Sequence, residues 1–214
     1  SRMSEQSAWL VIRSLAPEAR FRAFVEALPN DMVKIASARL FEVECFEPGT
    51  QPAHTLILEF ASRDAARSAW HALDAALLTQ PAPPLVLLAG KVPASGFDDP
   101  AIPTQANAAS VTDTDPVLML IEGSATDQDR MDVYRGIILP QMFERSAYYS
   151  VFELGGDVEV LSGDWDEAIF AISRWPRRSA ARDFWHSDRY QDDAIPLRID
   201  IGRFEVSIID ASSG

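Results

Sequence analysis

Short apolar runs and one-sided helical stripes alternate along this chain, and the same order of them occurs twice. Ala8–Ser14 (AWLVIRS) is a brief apolar run with polar borders, which predicts a strand. Residues 17–35 open on Pro and Glu and set Phe21, Phe24, Val25 and Leu28 on one face, which predicts a helix. Ser37–Phe46 alternates Leu40, Glu42 and Glu44 against Phe41, Val43 and Cys45, the period of a strand. A turn at Pro48–Ala53 leads to a strand at His54–Phe60. Ser62–Leu78 puts Ala66, Trp70, Leu73 and Leu77 on one helical side, with Ser62 as N-cap. Pro83–Val92 is a last strand.

The second half runs through the same series. Strands are predicted at Pro116–Ser124, Ala147–Leu154, Glu167–Trp175 and Ile199–Asp210. Helices are predicted from Asp127 to about Glu144 and over Arg177–Tyr190. A Gly-rich stretch, GGDVEVLSGDW, lies at Gly155–Trp165. Leu-Pro recurs at Leu28–Pro29 and Leu139–Pro140. AARSAWH (Ala65–His71) recurs as AARDFWH (Ala180–His186) in the second helix of each half.

Each half therefore reads βαββαβ, the ferredoxin-like order. Helices cover one face of such a sheet, so the other face needs a partner. Two copies in one chain supply two sheets. The expected fold is α+β: two tandem ferredoxin-like domains, at 8–92 and 116–210, forming an intramolecular dimeric α/β-barrel. Between them, Lys91–Pro116 is rich in Pro, Ala, Ser, Thr and Asp and lacks an apolar period, so 93–115 is expected to be an exposed linker.

Composition narrows the partners. Asp and Glu number 32 against 19 Lys and Arg, a net charge of -13, and such a surface disfavours nucleic acid and anionic membranes. No apolar run is long enough to span a bilayer, and no signal-peptide pattern opens the chain. Ser1–Met3 reads as an expression scar before or around a native start. Cys45 is the only cysteine and can form no internal disulfide, which fits the cytoplasm.

In the second half, GGDVEVLSGDW followed by SRWPRRSAARDFWHSDRYQDDAIPLR resembles DUF1330, a family of uncharacterised proteins. The shared features are the Gly-Gly turn, the EVLxGxW strand end, the helix with paired aromatics, and PLR. The resemblance implies a dimeric α/β-barrel fold. That superfamily includes cofactor-free monooxygenases, muconolactone isomerases and haem-dependent chlorite dismutases, so no single chemistry follows. The first half lacks the Gly-Gly turn and GDW, and has Val86 where Arg198 stands in PLR.

Four residues are the candidates for ligand binding: Trp165, His186, Tyr190 and Arg198. Trp165 follows Ser-Gly-Asp at a turn, where it caps the barrel or lines a pocket. Arg198 reads as a cation entering a strand, either paired with Asp164 or Asp200 or holding the carboxylate or enolate of a small ligand. His186 and Arg198 are the catalytic candidates; the competing reading of His186, as of His71, is a solvated helix histidine. Trp70 and Trp185 read as core anchors. Arg174, Arg177, Arg178 and Arg182 read as a solvated face or an anion site. His54, His71 and His186 have no metal spacing, so no metal and no cofactor is expected.

Three functions from different classes compete. The first is a protein binding a small organic molecule in a cleft of the second half. The others are a cofactor-independent monooxygenase or isomerase, and a structural or assembly role without a ligand. A monomeric pseudo-dimer or a homodimer is expected.

Overall fold

The computed structural model describes residues 6–212; Ser1–Met3, set aside above, lie outside them. The first half contains β1 (Ala8–Ser14), α1 (Glu18–Glu26), β2 (Val33–Ala38), β3 (Glu44–Cys45), β4 (His54–Phe60), α2 (Arg63–Ala72) and β5 (Leu85–Gly90). The second contains β6 (Val117–Ala125), α3 (Gln128–Glu144), β7 (Tyr148–Glu153), β8 (Val158–Ser162), β9 (Ile169–Trp175), α4 (Arg178–His186) and β10 (Gly202–Asp210).

Two five-stranded antiparallel sheets result, ordered β2-β4-β1-β5-β8 and β3-β10-β6-β9-β7. Four strands of each sheet come from one half. The fifth is taken from the other half: β8 pairs with β5, and β3 pairs with β10. Two further bonds cross between the sheets. Ser212 N–H donates to the Ile35 carbonyl, and Val92 N–H to the Ser150 carbonyl, both at 2.8 Å.

Strand alternation sorts the apolar residues into three cores. Leu10, Ile12, Leu56, Leu58 and Leu88 pack under α1 and α2, with Phe21, Phe24 and Trp70. Trp9, Val11, Ile57, Leu87, Leu118, Leu120, Phe170 and Ile172 pack between the two sheets. Met119, Ala171, Trp175, Val206 and Ile208 pack under α3 and α4, with Ile138, Phe184 and Trp185. The helices cover only the outer faces, as the sequence pattern requires.

Several boundaries differ from expectation. The helix expected over 17–35 stops at Glu26, because Pro29 cannot continue it, and Val33–Ile35 become strand. Pro140, by contrast, sits inside α3. The alternation over Ser37–Phe46 is not one strand. Arg39 and Glu42 cap a single turn at Leu40–Glu42, and Nδ1 of His54 accepts the Leu40 N–H at 2.8 Å. Ser62 does cap α2, its hydroxyl accepting from Ala65 N–H at 3.0 Å. Arg198 enters no strand. It ends a tight 3₁₀ turn at Ile195–Arg198, and β10 begins at Gly202.

The Pro- and Ala-rich connection is not simply exposed. Ile102 and Thr104 are buried, and the Pro103 carbonyl accepts from Tyr149 N–H at 2.9 Å. This segment covers the outer edge of β7, whose backbone would otherwise be open to pairing.

Candidate functional site

A cavity of about 80 Å³ lies between the second sheet and α3 and α4. Its floor is the outward face of β6, β7, β9 and β10, with Met119, Tyr149, Ala171 and Phe204 among the wall residues. α3 adds Met131, Tyr134, Arg135 and Met142; Phe184, Trp185 and Tyr190 close the other side. Leu154, 40% exposed, stands at the rim.

The polar groups here are few. Tyr134 and Tyr190 share a hydrogen bond between their hydroxyls at 2.6 Å. Burial pushes both phenols above their ordinary range, Tyr190 well above it, so both are neutral. Burial does the same to Tyr149, whose hydroxyl has no hydrogen-bond partner among the described residues. Arg135 lies with its guanidinium carbon 5.8 Å from the Phe152 ring centre. Among the described residues it joins no ion pair, and its Nε is buried without an acceptor. Among the described residues, no His, Cys, Lys, Asp or Glu lines the cavity.

Of the four expected site residues, Tyr190 lines this cavity and Arg198 lies beside it. The Arg198 guanidinium sits 4.6 Å from the Phe204 ring and 5.9 Å from those of Tyr134 and Trp185. Its Nη2 donates to Glu47 Oε2 at 2.8 Å, so the partner is neither Asp164 nor Asp200 but a first-half residue. His186 is exposed at the end of α4; its ring meets the edge of Phe46 at 6.1 Å and does not reach the cavity.

Trp165 is on the other side of the sheet. Gly163 makes the turn that delivers it, with φ +80° and a Cβ position only 3.0 Å from the Pro84 carbonyl, where glycine alone is comfortable. Trp165 then packs edge-on against Phe170, 5.8 Å away, at the margin of the inter-sheet core. The structure does not bring it together with Tyr190, Arg198 or His186.

Three of the four arginines of the basic cluster are paired internally, and Arg177 joins no ion pair among the described residues. Arg174 pairs with Asp113, while Arg178 and Arg182 both pair with Glu44. Trp70 and Trp185 are buried in separate cores.

Arg135 and Tyr149 escaped the sequence reading. Arg135 carried a usable signal: four residues after Met131 and three before Ile138, it falls on the buried stripe Met131–Ile138–Met142 of α3. A charged residue on a buried stripe has to find a partner or a ligand.

Fold and cavity together define a two-sheet α+β protein with an apolar, helix-covered hollow in its second half. The family model for a domain of unknown function, DUF1330, matches residues 116–212. No curated protein matches the chain. Among solved structures, a mutant chlorite dismutase from Candidatus Nitrospira defluvii superposes with a TM-score of 0.51 at 11% identity, covering 99% of this chain and 93% of its own. An anthrone oxidase-like protein gives 0.46 at 10% identity over 98% and 92% of the two chains. A protein provisionally described as a monooxygenase, from Lactobacillus acidophilus NCFM, gives 0.44 at 11% identity over 97% and 99%. The chlorite dismutase likeness shows the fold alone, the dimeric α/β-barrel type; the other two are too distant to carry an argument.

Haem does not fit the residues present. None of the three histidines lines the cavity, and its volume is far below that of a porphyrin. No described helix is long and apolar enough to cross a membrane.

Proposed function

We propose that this protein binds a small, largely apolar organic anion in the cavity of its second half. The observation that carries the reading is the unpaired Arg135 at an otherwise aromatic and Met-lined hollow. An apolar pocket with a few convergent polar groups is the common form of a small-molecule site. Arg135 would take a carboxylate or enolate oxygen, with the Tyr149 hydroxyl as a second donor. Aromatic rings would pack against the ligand body.

At about 80 Å³ the cavity is smaller than ordinary ligand clefts. Occupancy therefore requires wall side chains to move. Met119, Met131 and Met142 are suited to that, because an unbranched thioether repacks at little cost.

Binding is favoured over the monooxygenase or isomerase reading because abstracting a proton needs a base, and among the described residues no lining carboxylate, histidine or lysine supplies one. The two halves are read as tandem ferredoxin-like units, 8–92 and 116–210, joined by 93–115 and closing one barrel within the chain. The identical strand orders and the reciprocal exchange of β3 and β8 support this.

The test is a titration with naphthoate and its neutral carboxamide, followed by tryptophan fluorescence from Trp175 and Trp185. Naphthoate should bind more tightly than the amide. Arg135→Gln should weaken the acid about tenfold and remove the preference. Ala171→Phe, which fills the hollow, should abolish both. Binding untouched by Ala171→Phe, or none of either probe, would sink the proposal.

A further inference from the structure

A second cleft, of about 230 Å³, opens between the two sheets, on the face of the second sheet away from the cavity. Val43, Leu85, Leu120 and Ile209 give it apolar walls from both halves. Among the described residues, three charged ones face it: Arg13, Glu122 and Glu205. Arg13 Nη1 donates to Glu122 Oε2 at 2.7 Å. The other edge of that guanidinium, Nε and Nη2, has no acceptor among the described residues and is shut off from solvent.

That edge is the one that receives a carboxylate side-on. Arg182 uses it for this purpose elsewhere in the molecule, closing Nε and Nη2 onto Glu44. Donors buried without acceptors are costly, so an arriving carboxylate would relieve an existing penalty.

Glu205 supplies the opposite need. It stands directly across from Glu122 in the β6–β10 register. It accepts the Gln51 N–H at 3.2 Å and joins no ion pair among the described residues. At the cleft wall, Arg13 thus carries two unmet donors that are enclosed in this conformation, and Glu205 a negative charge without an ion-pair partner among the described residues.

We infer that this cleft is a binding site for a small α-amino acid with an apolar side chain. The carboxylate lies on the Nε/Nη2 edge of Arg13 and the ammonium on Glu205. The side chain rests against Leu85 and Leu120. A plain carboxylate would bring negative charge beside Glu122 and Glu205. A plain amine would leave the Arg13 edge unmet. Only a zwitterion answers both, and it does so without net charge. Because the two nitrogens are enclosed, the Arg13 side chain turns about its Glu122 contact to receive the ligand.

Equilibrium dialysis of the full chain with valine, isovalerate and isobutylamine separates the alternatives. Isovalerate lacks the amine and isobutylamine lacks the carboxylate. Valine is expected to bind about tenfold or more tightly than either analogue. Arg13→Lys keeps a cation for Glu122 but loses the planar edge. Glu205→Gln keeps an acceptor for Gln51 but loses the charge. Each should weaken valine by about tenfold. The comparison of probes on the unaltered chain does not depend on any variant folding. No retention of valine, equal retention of isovalerate, or unchanged affinity in both folded variants would overturn the inference.

Discussion

The guanidinium of Arg182 lies side-on to Glu44, with Nε 2.9 Å from Oε2 and Nη2 2.6 Å from Oε1. Arg178, one helical turn earlier, donates to the same carboxylate at 2.8 Å. The first half holds the counterpart. Arg67 sets Nε 2.8 Å from Glu159 Oε1 and Nη2 3.0 Å from Oε2, and Arg63 donates to Glu159 at 3.2 Å. In both places two arginines four apart on a helix hold one glutamate on the strand that crossed from the other half. The recurring AAR of the two heptamers is thus explained by Arg67 and Arg182, whereas both heptamer histidines are exposed.

These clamps should be felt in acid. Hydrogen bonds from Arg182 and Arg67 hold the Glu44 and Glu159 carboxyls below their ordinary value of 4.5. A carboxyl lowered by folding stabilises the native state above its unfolded value, and that stability is lost as pH falls through the folded value. Urea denaturation from neutral pH down to acid should show stability falling below about pH 4.5. A Glu44→Gln, Glu159→Gln double variant should start lower and fall less. A double variant that keeps the full acid slope would refute the assignment.

How much of this was legible in the sequence follows from range. α2 and α4 show in their own residues, because cap and stripe are local signals. β3 does not: two residues cannot display a period, and its partner β10 lies far along the chain. Arg198 was recognisable as a cation needing a partner, but nothing near it in the chain points to Glu47. Trp165 and Tyr190 sit close together among the family-like motifs, and only the path of the sheet shows that they face opposite ways. The connection 93–115 looks unstructured in the sequence because Ile102, Pro103 and Thr104 are one short buried run without a repeat.

His54 predicts a second pH effect. Its ring stacks on Phe21 at 5.0 Å, Nδ1 accepts from Leu40, and burial pushes its pKa below the ordinary 6.5. Neutral imidazole is therefore the folded form. Its contribution is complete above pH 6.5 and declines as pH falls towards the lowered native value. His54→Gln should cost about 1–2 kcal/mol at pH 8 and flatten that part of the profile. Thermal melts of the two proteins across this pH range check it.

The Arg198–Glu47 pair should matter for stability, since side-chain exposures are only 5% and 19%. Arg198→Met leaves Glu47 without its cation and should cost about 3 kcal/mol. Adding Glu47→Gln should recover much of the loss. If chemical denaturation shows the double variant no better than the single, the pair is not what Arg198 supplies.

Pro140 gives a test of α3. It is exposed, has no N–H, and so leaves the Gly136 carbonyl without its helical donor. Pro140→Ala should raise the melting temperature. The gain should stay below the ~3 kcal/mol cost of an interior proline, because the surrounding helix is already shaped around it. Since Ile138 and Met142 flank the site and line the cavity, naphthoate affinity should shift along with it.

The reciprocal strands have one more consequence. In an assembly of two identical chains, every substitution appears twice, so a change that opens one hollow opens both. Here the two sheets are written by different stretches of one polypeptide. A residue such as Arg135 can therefore be acquired under one sheet while the other keeps a plain packed interior. Covalent continuity releases the two sides from symmetry, and the single chain can specialise one flank without compromising its opposite.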